Sequence, residues 1–126
     1  KMYEELSPET AEFIDFMFEN ELFDVLSRDG KAPGGYCTEI ADYKSPFIFS
    51  NFNATAGDVD VLTHEAGHAF EAYRAFKQEL PSLLHSPTIE ACECHSMSME
   101  FLTAPWHHLF FGKAPSNRRF PPAPQR

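Results

Sequence analysis

The feature that most constrains this chain is the stretch Val61-Leu62-Thr63-His64-Glu65-Ala66-Gly67-His68-Ala69-Phe70, which carries the pattern His-Glu-x-x-His. Apolar Val61, Leu62, Ala66, Ala69, Phe70, Tyr73 and Phe76 recur around it, so the stretch is expected to form a buried helix. On a helix, His64 and His68 are offset by only about 40° around the axis, and both imidazoles reach one ion from the same side. Zinc suits such a pair, because it takes neutral imidazole nitrogen without a rigid geometric demand. Glu65 lies about 100° away on the same turn. It borders the ion without having to bind it, and there it can hold a metal-bound water and take its proton. The pattern points to metal-assisted hydrolysis of a peptide bond. Two histidines at this spacing also occur as plain surface or core residues. A buried helix with two His and a Glu would, however, be costly without a metal to neutralise it.

Composition bounds the alternatives. With 126 residues, 43% of them hydrophobic, the chain has enough for one modest core. Its 13 Phe imply either a dense core or pieces of a larger one. The net charge of −9 excludes nucleic acid as a partner, since no basic surface offsets phosphate. Cys37, Cys92 and Cys94 make an odd count without framework spacing, so reduced thiols and a cytoplasmic setting are expected. Cys92 and Cys94, beside His95, invite a metal reading. Residues two apart on a helix point about 200° apart, and free thiols packed as small hydrophobes fit better. No apolar run approaches the ~20 residues of a membrane span, and no signal peptide is visible. The start at Lys1 suggests a piece of a longer protein.

Along the chain, Ser7-Pro8 reads as an N-cap with Pro at the first helical position. Ile14, Met17, Phe18, Leu22, Val25 and Leu26 then recur at helical spacing towards a stop at Gly30. Gly30 to Gly35 is a loop, Tyr36 to Ile40 a short strand, and Ser45-Pro46 a break. Phe47, Ile48, Phe49, Ser50, Asn51 and Phe52 read as a second strand, expected at a sheet edge beside the metal, where it binds an extended substrate by its main chain. Thr55 and Asp58 resemble a capping box ahead of the metal helix, which is expected from about Gly57 to Leu80, with Pro81 ending it. Ser86-Pro87 starts a third helix, and Trp106 to Phe111 a short one. His107 and His108 are adjacent, so they do not share a helix face and are read as structural or surface residues. Residues 1–112 are expected to form one domain and the proline-rich 113–126 a disordered tail.

A catalytic zinc takes three protein ligands and keeps one position open. After His68 the candidates are His85, Glu90, Glu93, Cys94, His95 and Glu100, and a carboxylate on a helix crossing the metal helix would complete the set. The helix His64-Glu65-Ala66-Gly67-His68-Ala69-Phe70, with Glu93, Ser96 and Glu100 in a downstream Glu-x-x-Ser-x-x-x-Glu, resembles the oligoendopeptidase F and thimet oligopeptidase family. Asn51-Phe52-Asn53 and Gly57-Asp58-Val59 add to the likeness, which covers about Lys31 to Gly112. The three-histidine extension of another zinc class fails, because Glu71 and Arg74 follow the motif.

The resemblance implies that His64, His68 and Glu93 hold one zinc ion and that Glu65 is the general base. It implies a mainly α, zincin-like fold, with a metal helix, a glutamate-bearing helix, a short β-hairpin or edge strand before them, and only part of a domain. It implies a zinc metalloendopeptidase acting on short peptides; the lack of a long apolar run adds the expectation of no membrane partner. Members of the family are several times longer and supply His and Tyr residues after the third-ligand helix to bind the substrate carbonyl. This chain has no Tyr there and turns into a proline-rich tail, so it is expected to be a truncated or frame-shifted core, a poor enzyme alone and in need of the missing remainder. The competing expectation is a non-catalytic fragment with structural zinc, or a helical interaction module without metal.

Overall fold

A computed structural model of the chain describes residues 1–111. A short helix, α1 (Met2–Leu6), precedes the expected one, α2 (Pro8–Glu19). Ser7 caps α2 reciprocally: its hydroxyl accepts from the Thr10 amide at 3.1 Å, and the Thr10 hydroxyl oxygen accepts from the Ser7 amide at 3.1 Å. The Thr10 hydroxyl also reaches the Tyr3 carbonyl at 2.6 Å and so joins the two helices.

The helical periodicity predicted as far as Gly30 is overturned. The helix ends at Asn20, and Glu21 turns the chain with φ 52°. Leu22 enters the core, and Phe23–Asp24 form a strand, β1. Pairing with a neighbouring strand outcompetes helix propensity there, a common tertiary override. The loop that follows is pinned by Lys31. Its side chain is 1% exposed, and its ammonium meets the Asp24 carboxylate at 2.9 Å and the Leu26 carbonyl at 2.7 Å.

The hairpin expected before the metal helix is present as β2 (Gly35–Ile40) and β3 (Ser45–Ser50), joined by a 3-10 turn at Ala41–Tyr43. The sheet order is β1-β3-β2. The expected edge position of Phe47–Phe52 is therefore corrected: β3 is central, and β1 and β2 are the edges. Parallel β1, unforeseen in the sequence, occupies the other side of β3, with Phe23 opposite Ile48. Ser45-Pro46 is no break either, since both belong to β3 near its start, where a proline is tolerated. Asn51 and Phe52 lie beyond the strand end.

The helix that carries the His-Glu-x-x-His pattern is α3 (Gly57–Lys77). The Thr55 cap does not form. Instead the Asp58 carboxylate accepts from the amides of Asn53 at 3.0 Å and Ala54 at 2.8 Å, and it organises the turn in front of the helix. The helix ends ahead of Pro81, where Glu79 adopts φ 52°. The third long helix, α4 (Ile89–Thr103), is capped by Thr88 rather than Ser86, and α5 (His108–Phe111) follows a 3-10 turn.

The core lies between α2, β3 and α3. Phe13, Met17, Ile48 and Ala69 are fully buried. The Phe13 ring meets Phe70 at 5.5 Å and Tyr73 at 5.6 Å between centroids, pairs worth about 0.5–1.5 kcal/mol each beyond their buried area. Phe13 is thus the centre of the core, while Phe101 and Phe110 lie at the surface. Two glycines set how closely other elements approach α3. A Cβ on Gly35 would sit 2.7 Å from Val61 Cγ1, and one on Gly67 would sit 2.6 Å from Ser96 Cα. The first lets the β2 edge lie against α3, and the second lets α4 cross it. The fold is mainly α with a small sheet. Among the described residues, no helix is long and apolar enough to cross a membrane. The tail expected at 113–126 lies outside the described residues.

Candidate metal centre

His64 and His68 stand one turn apart on α3, with ring centroids 5.0 Å apart. Glu93 comes from α4, which the gap at Gly67 brings into contact. Its carboxylate oxygens lie 3.2 Å from His64 Nε2 and 3.7 Å from His68 Nε2. One ligand atom from each of the three residues lies within 4.8 Å of the others, and this is the one such cluster among the described residues. The other third-ligand candidates stand apart from it. Glu90 is exposed, Cys94 and His95 face solvent, and His85 lies on the loop between α3 and α4. His107 follows the 3-10 turn, and His108 begins α5.

Glu100 is close to the cluster without joining it. One of its carboxylate oxygens is 2.5 Å from His64 Nδ1. A carboxylate accepts, so Nδ1 donates; in the neutral ring Nε2 is then the unprotonated nitrogen, toward Glu93. A carboxylate behind a histidine is the common way to fix the tautomer of a metal ligand. The sequence held this signal: Glu93 and Glu100 are about two turns apart and share a face of α4.

Electrostatics follow from partial burial. Desolvation pushes Glu65 above the usual carboxylate range; His64 opposes this, the Glu93 carboxylate adds to it, and a hydrogen bond from the Cys37 backbone amide counters it. Desolvation likewise lowers His68 below the usual imidazole value, which favours the neutral form that a metal needs. Burial pushes the Cys37 thiol up to about 12, so it is inert rather than a ligand. All three cysteines are free; Cys94, expected to pack, is exposed.

The cluster opens on a groove of about 640 Å³ between β2 and the start of α4. Glu39, Glu65, Glu71 and Glu93 line it, and no Lys or Arg does among the described residues. Two imidazole nitrogens and one carboxylate oxygen, in an acidic groove without a fixed cation, are the donor set that zinc accepts. Phe47 to Phe52 do not line the groove; β2 does, from Gly35 to Glu39. Sequence reasoning missed β2, Glu39, Glu71 and Ile89 as wall residues, because no local pattern marks a residue that borders a site across a sheet edge.

Comparison with known proteins finds similar chains. The model of peptidase family M3 matches residues 9–118. A crystal structure assigned to oligoendopeptidase F of Bacillus anthracis str. Ames is 63% identical, with a TM-score of 0.81 over 86% of this chain and 20% of that one. PZ peptidase A with an inhibitor is 64% identical, with a TM-score of 0.82 over 87% of this chain and 19% of that one. A structure assigned as a peptidase from Chlamydophila abortus is 26% identical, with a TM-score of 0.69 over 90% of this chain and 19% of that one. The chain therefore spans about a fifth of the length of these solved relatives. No curated protein matches it.

Proposed function

The chain belongs to peptidase family M3, and from that premise we propose that it is the metal-binding core of a zinc-dependent endopeptidase acting on short peptides. One observation carries the reading: His64, His68 and Glu93 bring their ligand atoms within 4.8 Å of one another, with Glu65 on the same turn of α3. His64, His68 and Glu93 would hold one zinc ion. When bound, zinc supplies Lewis acidity toward the scissile carbonyl and toward water.

The chain's own residues do the rest. The Glu65 carboxylate takes the proton of the attacking water and delivers it to the leaving nitrogen. Its raised pKa makes it a stronger base than an exposed carboxylate. Glu100 holds the His64 proton on Nδ1. The substrate-aligning role expected of Phe47–Phe52 passes to the β2 edge. That edge borders the groove and can offer main-chain hydrogen bonds to an extended peptide. β3 supports it from behind, and Phe49 stacks on Tyr36 at 4.9 Å. Free thiols fit a reducing compartment, and we assign the protein to the cytoplasm.

A second reading is structural zinc without turnover: the chain spans about a fifth of the length of its solved relatives, and turnover also needs donors on the carbonyl side, each worth about 10²–10³ in rate. The test is cleavage of an internally quenched peptide with and without chelator. Chelator-sensitive turnover, restored by zinc, supports the endopeptidase. Bound zinc without turnover favours the second reading.

A further inference from the structure

Glu93 is poorly placed to hold its aim unaided. Its side chain is 46% exposed, so its carboxylate has room to swing into solvent. Ser96, one turn further along α4, is fully buried. Its hydroxyl lies 3.2 Å from Glu93 Oε2, the oxygen that stands 3.2 Å from His64 Nε2. The same hydroxyl lies 3.1 Å from the Glu93 backbone carbonyl. One proton serves both acceptors, and the charged carboxylate is the stronger.

Ser96 is held in this position by α3. At Gly67 the two helices touch so closely that a Cβ would meet Ser96 Cα at 2.6 Å and the His95 carbonyl oxygen at 3.0 Å. Gly67 immediately precedes His68, so one contact fixes both the spacing of the helices and the serine that faces Glu93. We infer that Ser96 is a positioning residue, which steers the Glu93 carboxylate toward His64 and His68, and that Gly67 is the gap that seats it. The inference rests on the reading that these three residues hold a metal. Among the described residues, the Ser96 hydroxyl bonds only to Glu93.

The test is a cobalt(II) titration of the native chain, Ser96→Ala and Ser98→Ala, each competed against a chelator, with the visible spectrum of the bound cobalt recorded. Alanine is a good helix former and leaves no orphaned polar group at either position. Ser98 makes the matching hydroxyl-to-carbonyl bond, to Cys94, on the exposed side of α4, and serves as the control. The expected result is a fall in affinity of about 10–100-fold for Ser96→Ala, with an altered cobalt spectrum, unchanged circular dichroism, and Ser98→Ala like the native chain. Equal affinity and spectrum in Ser96→Ala would overturn the inference, as would equal losses in both variants. A native chain that takes up no cobalt would instead overturn the metal reading, and this inference with it.

Discussion

Toward α2 and the sheet, α3 presents Ala69 and Tyr73, which meet Phe13, Met17 and Ile48 with almost no exposed surface. Toward the groove the same helix presents His64, Glu65 and His68, in an acidic setting without a Lys or Arg among the described residues. The first face is stabilised by burial, at about 25 cal/mol per Å² of apolar surface. The second carries a desolvation cost that shows directly in the raised Glu65 and the lowered His68. The packed face fixes the helix, so the polar face can hold groups in an arrangement they would not keep in a mobile loop. Substitutions on one face should therefore move stability, and substitutions on the other should move binding and chemistry.

The largest expected effect on the polar face is that of Glu65→Gln. In an active M3 enzyme carrying this core, peptide cleavage should fall by about 10²–10⁴, with metal content and melting temperature unchanged. Near-native turnover at full metal content would remove Glu65 from the role of base. On the packed face, Phe13→Ala should cost about 3–5 kcal/mol, read as a lower denaturant midpoint. If Phe13→Ala changed zinc affinity while leaving the midpoint alone, the division between faces would fail.

Glu100→Gln sharpens the comparison, because it touches the polar face indirectly. The amide can present its NH₂ to His64 and so favour the wrong tautomer. Zinc affinity in a chelator competition should drop by about 10–100-fold, with little change in melting. The smallest effect concerns the cysteines. With its thiol pushed up to about 12 by burial, Cys37 is almost wholly protonated at pH 8. Its alkylation should lag well behind that of exposed Cys94, as peptide mass spectrometry would record.

The motif helix was legible because its signal is local: an apolar repeat for the packed face and a five-residue pattern for the other. Glu93 needed the resemblance, since several residues after His68 were chemically eligible and only the path of α4 separates them. The end of α2 and the place of β3 were not legible. Leu22, Val25 and Leu26 continue a helical repeat, and only pairing of Phe23 with Ile48 across the sheet reveals a strand. That same pairing made β3 central and left β1 and β2 as the edges. Contacts distant in sequence decided each of these points, whereas Gly67 and Ser96 lay in plain view but gain meaning only where the helices cross.

The central claim is that α3 and α4 together hold one metal ion through His64, His68 and Glu93. Equilibrium dialysis against buffered zinc, with metal counted by mass spectrometry, tests it most directly. The account predicts one zinc per native chain, and at least a tenfold weaker uptake in His64→Ala, His68→Ala and Glu93→Ala, each still folded by circular dichroism. A native chain that stays metal-free, or a Glu93→Ala chain that binds zinc as tightly as the native one, would contradict it.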